Sequence, residues 1–91
     1  MPATSKEPIS VPHSADAVVW PVEIAIVLEE LGEPADDDWT PADWDGNDAV
    51  LLIGAGTSME LEPGEYVVWS RITTATQQPV RRSGTLTVGT P

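Results

Sequence analysis

Apolar and polar residues alternate most regularly from Tyr66 to Thr74. Tyr66, Val68, Ser70 and Ile72 fall on one face of an extended chain, and Val67, Trp69, Arg71 and Thr73 on the other. The same period of two recurs between Val80 and Val88, where Leu86 and Val88 point inward, Thr85 and Thr87 point out, and Gly84 marks a candidate bulge. Residues 18–28, VVWPVEIAIVL, are rich in β-branched side chains. Val22, Ile24, Ile26 and Leu28 share one face there, and Glu23, Ala25 and Val27 the other. A helix competes over EIAIVLEEL, but Pro21 fits only a helix start, and Val and Ile pack better on a pleated surface. Residues 49–55, AVLLIGA, form a continuous apolar run that predicts a buried strand, and Ile9 and Val11 predict a short edge strand with Pro8 and Pro12 at its ends.

Between these runs the chain changes character. Residues 29–48, EELGEPADDDWTPADWDGND, hold nine acids and no base, and Gly32, Pro34, Pro41 and Gly46 interrupt any regular element. Thr40 before Pro41 reads as a helix cap followed by a first helical position, which predicts one short helical turn near 40–44. Trp39 and Trp44 in so polar a segment imply that it folds back onto the rest of the domain. Thr74–Pro79 is read as a turn.

Five or six short strands with almost no helix predict an all-β fold, a small immunoglobulin-like antiparallel β-sandwich. An N-terminal arm, residues 1–8, precedes a single domain, residues 9–91. One turn supports this fold in particular. Leu61, Pro63, Gly64 and Tyr66 give the order Leu-x-Pro-Gly-x-Tyr before a strand. Pro63 presets its own φ, Gly64 is free to take a positive φ, and Tyr66 enters the strand with its ring in the core and its hydroxyl near loop backbone. That is the chemistry of the tyrosine corner of immunoglobulin-like chains.

Composition narrows the function. The chain has 91 residues, suited to one domain, and no cysteine, which removes a disulfide scaffold, a thiolate metal site and a cysteine nucleophile. A cysteine-free domain of this size favours assembly in a reducing cytoplasm. Fifteen acids against four bases give a net charge of −11, which repels nucleic acid and anionic membranes and favours basic protein surfaces. The opening residues lack the apolar stretch of a secretion signal, and no apolar run reaches the ~20 residues of a membrane helix.

Candidate chemistry is sparse. Asp36–Asp38 and the run Asp43–Asp48 suggest a calcium loop, yet an EF-hand frame starting at Asp43 would need glycine where Asp48 stands and glutamate where Gly54 stands. His13 is the only histidine, and Ser58, Ser70 and Ser83 have no nucleophile-elbow flanks. Gly54-x-Gly56 has Met59 where a dinucleotide fingerprint has its third glycine, and Pro63 follows soon after. No acid–base pair stands out among the carboxylates. No enzyme, metal or cofactor is expected. Arg71, Arg81 and Arg82 either balance Glu60, Glu62 and Glu65 or form an anchor patch for a partner, and Trp69 is either core or part of that patch.

The C-terminal third carries a resemblance. Leu61, Pro63, Gly64, Tyr66, Val68, Trp69, Arg71, Ile72 and Thr73, then Pro79, Val80, Arg81, Arg82, Gly84, Leu86, Thr87 and Val88, follow a pattern that resembles small structural proteins of tailed bacteriophages of actinobacteria. A looser likeness adds Asp38, Trp39, Ala42 and Trp44, and Ile53–Gly56, for about two thirds of the chain; the acidic segment departs from it. The resemblance implies a virion protein of the head side, made in the host cytoplasm. It would be either a capsid decoration or minor capsid protein bound to the major capsid protein, or a component of the neck, in many symmetry-related copies. The rival expectation is a carbohydrate- or receptor-binding module, calcium-assisted through residues 36–48, with Trp39 and Trp44 as sugar platforms.

Overall fold

In the computed structural model, which describes residues 2, 5–57 and 59–89, six strands form one continuous antiparallel sheet. They are β1 (Lys6–Pro12), β2 (Val22–Leu28), β3 (Thr40–Asp45), β4 (Asp48–Gly54), β5 (Gly64–Ile72) and β6 (Val80–Val88), in the order β1-β4-β3-β2-β5-β6. Residues 1, 3 and 4 of the expected arm, and Ser58, lie outside the described residues. The all-β expectation holds, and the only helical pieces among the described residues are short 3-10 turns.

The pairings β1–β4–β3 and β2–β5–β6 are those of strands B-E-D and C-F-G of an immunoglobulin-type chain. What makes the sheet continuous is β3. Its first half, Thr40–Ala42, pairs with β2, and its second half, Asp43–Asp45, pairs with β4. A strand that changes partners along its length turns a corner. The two halves of the sheet accordingly share one core, in which Val11, Ile24, Ile26, Ile53, Tyr66, Val68, Ile72 and Val88 are buried together.

Three local expectations are corrected. The helical turn near 40–44 is strand β3, where Thr40, Ala42 and Trp44 are half-buried and Pro41, Asp43 and Asp45 exposed. Pro41 is tolerated because of how β2 divides its bonds. The Thr73 N–H donates to the Pro21 carbonyl, so odd-numbered residues of β2 address β5 and even-numbered ones address β3. Pro41, opposite Glu23, therefore turns its missing N–H away from β2, along a stretch where β4 does not yet pair. The second correction concerns residues 18–21. Val18 and Val19 belong to the 3-10 turn Ala15–Val19, with Val19 77% exposed, and the strand begins only at Val22, after Pro21. Third, Gly64 opens β5 without a positive φ. Its lack of a side chain matters for space instead, since a Cβ would stand 3.3 Å from Leu28 Cδ2.

Elsewhere pattern and fold agree. β1 lies at one edge of the sheet, although it starts at Lys6 and not at Ile9. β4 and β6 fall where the runs at 49–55 and 80–88 predict them, β5 starts and ends two residues early, and the pairing of β5 with β6 slips between Val68 and Trp69, which leaves Ser83 as the extra residue of a bulge beside Gly84. The loop joining β3 to β4 is the pair Gly46–Asn47, with Gly46 at φ 61, the backbone that a two-residue hairpin loop requires at its first position.

Candidate interaction surface

The turn before β5 is built as its residues imply. Tyr66 is buried against the core, and its hydroxyl donates to the Glu62 carbonyl at 2.7 Å. Burial, and next the neighbouring Glu62 carboxylate, push that hydroxyl above the ordinary tyrosine value of 10.0, so it remains a protonated donor. Leu61 packs on the same core and Pro63 is exposed. Leu61, Pro63, Gly64 and Tyr66 thus set the angle at which β5 enters the sheet.

Register sorts the four candidate interface residues onto two faces. Trp69 stands opposite Ala25 on β2 and Arg82 on β6, and Arg71 opposite Glu23, all on the face away from the shared core. Arg81 stands opposite Ser70, on the core side. The structure therefore brings Trp69, Arg71 and Arg82 together and turns Arg81 away from them.

The outer face is not bare. Segment 29–39 folds over it, with the turn Asp36–Asp38 against β2 and the turn Glu29–Leu31 against β5. Beneath lie Ala25, Val27 and Val67, all buried, so this cover seals a second, smaller apolar layer while Glu29, Glu30, Glu33, Asp36 and Asp37 face water. Arg71 fastens it. Its Nε and Nη2 both donate to Glu23 Oε1, at 3.0 and 2.8 Å, and its guanidinium lies 4.5 Å from the Trp39 ring centre. Arg71 is a structural clamp whose partner is Glu23, not Glu60, Glu62 or Glu65. Trp69 is half-buried in this outer layer and not in the main core; its Nε1 is buried with no hydrogen-bond partner among the described residues.

Arg81 borders a cleft of about 260 Å³ on the core side of β5 and β6. Trp20 and Ile72 give it an apolar floor; His13, Asp16 and Ser70 lie around it. His13 is half-buried, edge-on to Trp44 at 5.4 Å. Burial, then the Arg81 guanidinium, hold its imidazole below the ordinary 6.5, with Asp48 pulling the other way. No local sequence pattern marks this cleft, because its walls come from residues 13–20, 70–74 and 79–81.

The remaining candidates are placed in structural roles. Ser70 and Ser83 hydroxyls lie 3.2 Å apart and hydrogen-bond to each other. Gly54 and Gly56 take φ 111 and 79 in the bend leaving β4, and no helix follows among the described residues. Among the described residues no three His, Cys, Asp or Glu side chains are grouped to hold a metal ion. Trp44 packs on the core and donates its indole N–H to the Trp20 carbonyl at 2.9 Å, and Trp39 has the Arg71 guanidinium over its ring, so both half-buried rings make contacts within the chain. Among the described residues no helix is long and apolar enough to cross a membrane. No family model matches the chain, and no curated protein or solved structure matches it either.

Proposed function

We propose that this chain is a non-enzymatic structural protein of a tailed bacteriophage, bound to the head shell or to the neck that joins head and tail. The observation that carries the reading is the Leu61–Val88 segment. Its motif resembles such proteins, and it folds as a locked pair of strands whose outermost member, β6, carries two arginines without an ion pair among the described residues. A rigid small domain with a cationic edge in an otherwise acidic molecule supports adhesion to a protein surface. Repetition on a symmetric particle would multiply a modest contact into firm attachment. Its surroundings supply the partner, and no cofactor is required by this reading.

The test is quantitative mass spectrometry of purified particles. Hundreds of copies per particle support a decoration protein, and about six or twelve support the neck. Absence from particles overturns the reading.

A further inference from the structure

We propose that the outer edge of β6, over Val80–Thr85, is a docking edge for an extended, acid-bearing segment of a partner protein, whose carboxylate side chain enters the Arg81 cleft. The two edges of the sheet differ in what they offer. The Ala55 N–H donates to the Ser5 carbonyl, and the His13 N–H donates to the Asn47 carbonyl. Both pairs continue the β1–β4 register, so odd-numbered residues of β1 bond to β4. Lys6, Pro8, Ser10 and Pro12 then face outward, and two of these four have no N–H to give. β1 is a poor template for another strand.

β6 is a better one. The Ile72 N–H donates to the Pro79 carbonyl, so Pro79 and Arg81 address β5 while Val80 and Arg82 turn their backbone groups outward. Beyond the bulge, Thr85 does the same. None of the three is proline, so each presents both a donor and an acceptor. β1 and β6 also face each other across a groove of about 190 Å³, lined by Pro8–Pro12 on one side and by Val68 and Ser83–Thr85 on the other. An added strand would lie along this open seam.

Charge selects the occupant. Of the four bases, Arg71 is committed to Glu23, Lys6 stands alone on β1, and Arg81 and Arg82 are adjacent on β6; the last three make no ion pair among the described residues. Charges beyond about 8 Å are screened at physiological salt, so the two guanidiniums of β6 act mainly on what docks beside them. Asp16 is the one carboxylate lining the Arg81 cleft, with His13 beside it. At about 260 Å³ the cleft suits one side chain and lies below the range of drug-sized ligand pockets. Arginines on an exposed edge deter apolar and basic strands, which makes them a filter as well as an attraction. A second copy of this chain fits poorly, since Val80–Val88 contains no carboxylate and each copy brings a net charge of −11.

The experiment is a nuclear magnetic resonance titration of the isotope-labelled full chain with the capped hexapeptide TVEVTV and its lysine counterpart TVKVTV. The glutamate peptide should shift the amides of Arg82 and Thr85 and slow their exchange with solvent. The lysine peptide should bind about tenfold more weakly. Arg81→Glu, an exposed change, should reverse that preference, and Thr85→Pro should remove binding by deleting an outward N–H. The proposal is overturned if no amide shifts at about 5 mM peptide, if the shifts centre on β1, if both peptides bind alike, or if sedimentation shows a dimer through β6. The titration requires no particle, so its failure and the failure of the particle count are separate results.

Discussion

The Tyr66 ring fills core beside Val68 and Val88, and its hydroxyl holds the Glu62 carbonyl, so one side chain ties loop to sheet. The two parts are separable. Tyr66→Phe removes only the hydrogen bond and is expected to cost about 1 kcal/mol in urea unfolding. Tyr66→Ala also empties the ring's volume and is expected to cost about 3–5 kcal/mol. His13 gives a pH-dependent residue. Its folded value is depressed, so the unfolded chain binds a proton more readily, and the stability His13 contributes is present above 6.5 and lost as pH falls below it. Unfolding at pH about 7.5 and about 5.5 should show a loss on acidification that is smaller in His13→Gln. An equal loss in both proteins would assign the effect to carboxylates.

At the scale of elements, the cover over β2 and β5 depends on Arg71. Arg71→Met strands the Glu23 carboxylate, whose side chain is only 25% exposed, and is expected to cost about 2 kcal/mol. Adding Glu23→Gln should recover part of that loss in a double-mutant cycle, and Trp39 fluorescence should report whether the cover loosens. Gly54 tests the opposite end of the sheet. Its φ of 111 and the Ser5 carbonyl pressed against its α-carbon leave no room for a Cβ, so Gly54→Ala should cost at least about 2 kcal/mol by the same assay. Much of this scale was legible. The alternation at 66–74 and 80–88, the bulge beside Gly84 and the tyrosine corner all follow from local pattern, which β-strands obey when one face is buried. β3 is hidden in the sequence, because Thr40–Pro41 is a cap pair in isolation. Yet Ala42 and Trp44 alternate with Asp43 and Asp45 before Gly46–Asn47, and that hairpin signal outweighs the cap once β2 supplies the other side. The partner of Arg71 and the position of Arg81 were illegible, since both depend on which strands become neighbours and on a one-residue bulge that decides the face.

For the whole molecule, the acids and the fold work against each other. Nine of the fifteen carboxylates lie in residues 29–48, and among them Glu29, Glu30, Glu33, Asp36 and Asp37 stand exposed on the cover. Added sodium chloride should therefore raise the melting temperature by screening this self-repulsion, and should do so less after Asp36 and Asp37 are changed to Asn. On the proposed reading the same charge would keep copies apart until a surface binds them, and the arginine-bearing edge of β6 is the edge, among the described residues, offered to an acidic strand. The most direct test of this adhesive reading is a reconstruction of the particle at a resolution that traces strands. It should place the chain in symmetry-related copies on the head or neck, with the Val80–Thr85 edge against an extended acidic segment of the neighbouring protein. Particles with no density for the chain would contradict the structural role itself.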